Sequence, residues 1–249
     1  MKKIIIILLV FTCTLSSCNK KNDGIDKIQE ELQSVENVPF SFDKVADPSI
    51  WASFGSLKER QDACQMPENL LKTISTKNLV ETCMNYPLYG MYLAYNNEME
   101  GIKIIMDGFN GFAELEKRED AAIELLNYYE KITAVYTNFL TSNSYEQVRP
   151  LHLGYLELIL ASDKIPSLYN DVNYKRLEEL MQSNLHIKIK NPETFSILSV
   201  SKSLLLGAKI KLEKYPLNSN DSIMLNNFLE SGGFVSDPTV YTKISDIIK

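Results

Sequence analysis

The chain has 249 residues, of which 26 are Lys or Arg and 32 are Asp or Glu, for a formal net charge of −6. An acidic chain with no cluster of basic residues cannot neutralise a run of phosphates, so nucleic acid is excluded as a partner. Two histidines and four cysteines, none of them at zinc-ligand spacing, give no metal-site pattern, and no cofactor is implied.

The first element is Met1–Cys18, MKKIIIILLVFTCTLSSC. Two lysines precede an unbroken apolar run, Ile4 to Phe11, and small polar residues then lead to Leu15-Ser16-Ser17-Cys18. That order is a secretory signal: a positive n-region, an apolar h-region and small residues before a cleavage point. The run is well short of the ~20 apolar residues that a spanning helix needs. The cysteine placed directly after the small residues resembles the lipobox of bacterial lipoproteins. That resemblance implies removal of residues 1–17, fatty acylation of Cys18, and a lipid bilayer as the first partner. More than one acyl chain anchors a protein stably without any spanning segment.

Residues 18–36 are polar and charged. Ile25, Ile28 and Leu32 alone keep a helical spacing, so the segment reads as a lipidated tether. Residues 37–249 are expected to form a single all-helical domain. Its entry, Val38 to Ile50, is a connector whose phenylalanines pack back on the domain, with Trp51 as an anchor.

Helix signals then follow one another. Ser56 and Glu59 form a capping box for a helix running to about Cys64. Pro67-Glu68 starts the next, and Ser75 or Thr76 caps one in which Leu79, Val80 and Cys83 share a face before Pro87 stops it. Leu88–Tyr95 and Glu98–Asp107 read as two more, with Gly108 placed for a left-handed C-terminal cap. Phe112–Arg118 is a short turn of helix. From Glu119 to Leu140, Ala122, Leu125, Leu126, Tyr129, Ile132, Tyr136, Phe139 and Leu140 recur at three- and four-residue steps, one face of a long amphipathic helix.

Ser144–Gln147 is a second capping box, close before Pro150. Leu151–Ala161 is apolar nearly all round, which predicts a central helix. Tyr174 to Leu185 marks another. Asn191-Pro192 places a cap before a proline and predicts a helix through Phe195 to about Lys214. Asn220 or Asp221 opens one that Gly232 and Gly233 end, and Asp237-Pro238 opens the last, Thr239 to Ile248. About eleven short helices result, an all-α fold of stacked antiparallel pairs, either a bundle or an irregular solenoid. The one weak strand-like run is Leu185–Ile189.

Cys13 leaves with the signal and Cys18 takes lipid, so Cys64 and Cys83 remain as an even pair in an oxidising compartment. A bridge between them would close a loop of roughly 20 residues and contribute about 3 kcal/mol. The alternative is two buried thiols packed as small apolar groups.

From Ala63 to Asn97 the wording is ACQMPENLLKTISTKNLVETCMNYPLYGMYLAYNN. An "ACQ-P" stretch leads to "ST…LVETC…NYP". This is similar to a segment of secreted and lipid-anchored proteins of gut Bacteroidales bacteria, over roughly Trp51 to Asn110. The resemblance implies helical character and a place in the cell envelope, at the outer membrane, with the periplasmic and the surface-exposed faces both open. It carries no catalytic residue and no activity.

No HExxH, Gly-x-Ser-x-Gly, P-loop or dinucleotide fingerprint occurs. Gly108-Phe109-Asn110-Gly111 lacks the preceding strand that phosphate binding uses and reads as a helix-to-helix turn. Glu157 shares an apolar face with Leu153, Leu156 and Leu160, after His152. A carboxylate so placed is either an acid with a raised pKa, or a structural group that pairs with a base such as Arg149 or Lys164 or reaches solvent past its neighbours. Tyr86, Tyr89, Tyr92 and Tyr95 recur at every third residue. They form either an aromatic strip facing a sugar or peptide, or core packing with hydroxyls at the rim. The reading favoured by these features is a membrane-anchored, non-catalytic domain that binds a protein, peptide or glycan at the envelope. The alternatives are an envelope hydrolase of unrecognised type and a structural envelope protein.

Overall fold

In this computed structural model the described residues are 38–142 and 150–249. The signal segment, Cys18, the tether, the Ser144–Gln147 box and Arg149 lie outside them. Among the described residues are thirteen α-helices, two 3₁₀ helices and no strand: the fold is all-α, built of packed helix pairs.

The connector is two short helices, α1 (Asp43–Ala46) and α2 (Pro48–Ser53), the second capped by Asp47, whose carboxylate accepts from the Ser49 amide at 2.8 Å. The phenylalanines do pack back. Phe42 lies 6.1 Å from the Tyr86 ring and 5.9 Å from that of Phe109, and the Phe40 amide donates to Thr82 Oγ1. Trp51 meets Phe54 edge-on, with Arg60 over its ring.

Helix α3 (Leu57–Ala63) is capped as expected by Ser56, whose hydroxyl accepts from the Glu59 amide at 3.2 Å. The returning bond goes one residue further back than the usual box, from the Gly55 amide to Glu59. Helix α4 (Glu68–Thr73) follows Pro67, and Arg118 satisfies its end by donating to the Leu71 and Ile74 carbonyls. Helix α5 (Thr76–Met84) is capped by Ser75 and buries Leu79, Val80 and Cys83. Cys64 and Cys83 are both buried free thiols.

Tyr89–Ala94 is a 3₁₀ helix, η1, followed by α6 (Glu98–Asp107) and α7 (Asn110–Leu115). Gly108 is not a left-handed cap: its φ of −86° is right-handed helical. A Cβ there would lie 2.1 Å from Gln61 Nε2, the end of a flexible side chain that can swing aside, so neither φ nor packing demands glycine. The Gly108–Gly111 segment is a helix-to-helix turn. It is clipped to the 65–66 strand of chain by the Asn110 side chain, which accepts from the Met66 amide and donates to the Met66 carbonyl, and by Gln65, which bonds Gly108 and Asn110.

The long amphipathic helix is α8 (Ala121–Ser142), with Ala122, Leu125, Leu126, Tyr129 and Tyr136 buried. Helix α9 (Pro150–Ala161) is the apolar centre, buried continuously from Leu153 to Ala161. After a second 3₁₀ helix, η2 (Pro166–Tyr169), helix α10 (Asn173–Lys190) absorbs the weak strand-like run at Leu185–Ile189. Asn191-Pro192 does not start a helix. Asn191 closes a turn whose carbonyl accepts from the Thr194 and Phe195 amides, and Ser196 caps α11 (Ile197–Lys214). Helix α11 is the hub, packing on α9, α10, α12 (Ser219–Glu230) and α13 (Thr239–Ile247).

Candidate functional site

Glu157 sits midway along the most apolar helix, α9, and has no exposure. Ionised groups are tolerated there only when paired and hydrogen-bonded. Lys188 of α10 supplies the charge, and the hydroxyls of Tyr129 (3.0 Å) and Ser203 (2.7 Å) donate to the remaining carboxylate oxygen. Lys188 also donates to the Ser199 carbonyl at 2.9 Å. Four helices, α8 to α11, are thus tied at one point.

Of the two bases expected beside Glu157, Lys164 is engaged elsewhere. Lys164 bonds Asp107 and Glu116 on the surface, and Arg149 lies outside the described residues. Burial pushes the Lys188 ammonium below its ordinary value, against the pull of Glu157. Burial, aided by the Glu157 charge, pushes the Tyr129 phenol well up. Glu157 is saturated with donors and shut off from water, an arrangement that holds helices together and presents no carboxyl to a ligand. His152 packs edge-on to Tyr89 at 4.5 Å.

Of the two readings of the tyrosines, core packing describes Tyr86, Tyr89 and Tyr92. Within η1 three residues make a turn, so Tyr89 and Tyr92 fall on one side, and that side packs on Tyr155. Tyr86 is buried and stacked on Phe109 at 4.4 Å, and Tyr92 is buried and parallel to Tyr155 at 6.1 Å. Tyr89 is half-buried against His152 and Tyr155. Tyr95 is the member that reaches a surface cavity.

That cavity is one lobe of a groove. The first lobe, about 420 Å³, is lined by Tyr95, Asn96, Glu98, Leu198 and the turn Gly232-Gly233-Phe234. The second, about 330 Å³, is lined by Tyr92, Leu93, Leu151, Leu198, Ser199 and Lys202, among others. Leu198 borders both lobes. Glu98 on the first lobe and Lys202 on the second form an ion pair at 2.9 Å. The rim is apolar and exposed: Leu93 (47 %), Leu151 (46 %), Leu198 (45 %) and Phe234 (65 %). Isolated exposed apolar residues are ordinary, whereas several around one cavity mark an interaction site.

Local chemistry explains the shape. Asn97 caps α6 by accepting from the Met99 and Glu100 amides, and it donates to the Glu230 carbonyl at the end of α12. Gly232 and Gly233 have φ of 65° and 78°, a region that favours glycine. A Cβ on Gly233 would lie 2.5 Å from Ser201 Oγ, the group that donates to its carbonyl. The turn is therefore pressed onto α11, and Phe234 emerges beside the first lobe.

No family model, no curated protein and no solved structure matches this chain. Among the described residues, no group of three or more His, Cys, Asp or Glu is placed to hold a metal ion. None of the described helices is long and apolar enough to cross a membrane. Sequence reasoning missed the groove. Its one legible signal was Phe234, an exposed aromatic following two glycines.

Proposed function

We propose that this protein is an envelope lipoprotein, held to a bilayer through acylated Cys18, whose helical domain binds a protein or peptide in the two-lobed groove. The observation that carries the reading is the coincidence of Leu93, Leu151, Leu198 and Phe234, all exposed, around two adjoining cavities that share Leu198. An apolar rim around a charged centre suits a peptide chain, with side chains for the lobes and polar backbone for the Glu98–Lys202 pair. A glycan is less well served, because Tyr86 and Tyr92 are stacked within the core. Glu157, the candidate acid, is enclosed by its own partners, which weighs against the hydrolase alternative.

A photo-cross-linking residue placed at position 198 of the full chain, in intact cells, tests the reading. The same residue at Ile123, exposed on α8, is the control. Adducts specific to position 198 are expected, and equal labelling at both positions sinks the proposal. Retention of a Cys18→Ala variant in the membrane fraction would sink the lipid-anchor half.

A further inference from the structure

The groove is arranged about one residue. Leu198 borders both lobes, whereas Phe234 lines the first alone and Leu93 the second alone. The two ends differ in shape. Phe234 is the most exposed of the apolar rim residues and stands at the first lobe, while the second is a hollow walled by leucines. They differ in charge as well. Among the described residues lining them, the first lobe carries one charged side chain, Glu98, and the second carries one, Lys202.

Phe234 is also held in place. The carbonyl of Gly233, the residue before it, accepts from Ser201 Oγ at 2.5 Å and from the Tyr241 hydroxyl at 3.2 Å. A projecting ring on a clamped turn loses little freedom when it is covered, which favours binding.

A surface with a knob at one end, a hollow at the other and a shared centre matches itself after half a turn. A two-fold axis at Leu198 sets Phe234 of each copy over the second lobe of the other, against Leu93. The same rotation sets the Glu98 end of one copy opposite the Lys202 end of the other. Like charges are kept apart, and the Glu98–Lys202 pair within each copy stays closed.

The area suffices. Leu93, Leu151, Leu198 and Phe234, each close to half exposed or more, present on the order of 400 Å² of apolar surface. An interface is a little over half apolar, so two such faces bury roughly 1,400 Å² in all, within the standard range of about 1,200–2,000 Å².

We propose that the partner of the groove is a second copy of this chain, in a two-fold dimer centred on Leu198, with Phe234 of each copy seated in the second lobe of the other. A linear peptide would fill the lobes, but the second copy also gives the projecting ring a place to go. The dimer rests on the groove being the binding face, and it names the protein bound there.

The test uses the full chain in intact cells, as two co-expressed copies with different affinity tags. One copy carries benzoylphenylalanine at position 234, which keeps an aromatic ring there. Irradiation is expected to yield adducts bearing both tags, with the cross-link mapped to the segment around Leu93. Leu93→Asp in the other copy, at an exposed position, lowers that adduct at least about tenfold, the scale of a lost interface anchor. Cysteines give an independent readout, because Cys64 and Cys83 are buried. Under mild oxidation Leu198→Cys, on the axis, forms a disulfide-linked dimer, and Phe234→Cys, at the two ends, forms little.

Adducts bearing both tags that map away from the groove overturn the dimer, as does equal disulfide formation by Leu198→Cys and Phe234→Cys. Adducts from positions 198 and 234 with other proteins alone also overturn it, but leave the groove as a binding face for a different partner. No adduct above that from the same photo-residue at Ile123 removes both readings. Should Leu93→Asp alter the circular dichroism spectrum, the cysteine pair decides.

Discussion

Lys188 of α10 meets Glu157 of α9 where neither side chain has any exposure to water. The pair is 31 residues apart in sequence, and with Tyr129 and Ser203 it joins four helices. Removing one member leaves the other charged and buried, which costs about 3–5 kcal/mol, whereas removing both leaves only a packing defect. Lys188→Met and Glu157→Gln should each lower urea stability by that amount. The double variant should be less destabilised than the sum. Additive losses below about 1 kcal/mol would show that the pair does not couple the helices.

Alkali should unfold the domain through its tyrosines. Burial raises the phenols of Tyr86, Tyr92, Tyr129, Tyr136, Tyr155 and Tyr169 above the ordinary 10.0. In the unfolded chain they lose protons near pH 10, while the folded chain keeps them. The unfolded state then binds fewer protons, so stability is complete below pH 10 and falls above it, by about 1.4 kcal/mol per pH unit per group. Absorbance at 295 nm should show exposed tyrosines titrating first and the buried set ionising together with loss of helix. All 13 tyrosines titrating near pH 10 with the helix intact would contradict this.

Cys64 and Cys83 should behave as inert thiols. Neither has any exposure, and burial lifts Cys64 to about 11 and Cys83 well above its ordinary value. Little reactive thiolate forms at neutral pH. Iodoacetamide should leave both unmodified in the native protein and label both in denaturant without reductant, as read by peptide mapping. A Cys64–Cys83 cross-linked peptide in a non-reducing digest would refute the assignment.

Gly233→Ala joins the turn to the groove. The φ of 78° strains any side chain, and the new Cβ meets Ser201 and Leu205. A loss of about 1–3 kcal/mol is expected. Because Phe234 follows directly, cross-linking from position 198 should fall as well. Unchanged melting and unchanged cross-linking would mean the turn relaxes without disturbing the groove.

Much of the architecture could be read locally. Ser56 and Ser75 cap helices as their neighbours imply, and the apolar circumference of Leu151–Ala161 marked the buried centre. The misreadings share a cause. Gly108 suggested a left-handed cap, but its φ of −86° is right-handed helical, and its carbonyl accepts from Gln65 of a neighbouring segment instead. Asn191-Pro192 suggested a helix start, but its carbonyl bonds close a turn and leave Ser196 as the cap. The tyrosine periodicity was legible, but the direction it faces was not.

The sequence by itself determined the helices and the unusual carboxylate at Glu157, because periods of three and four and capping residues act within one or two turns. Only the tertiary structure decided that Lys188 is its partner, since a lysine in the last turn of a helix otherwise reads as a complement to the dipole. The groove was decided there too. Its walls come from Tyr92–Glu98, Leu151–Gly154, Leu198–Lys202 and Gly232–Phe234. Those stretches carry no mutual signal along the chain, and only the burial of the apolar faces of α6, α9, α11 and α12 draws them to one surface.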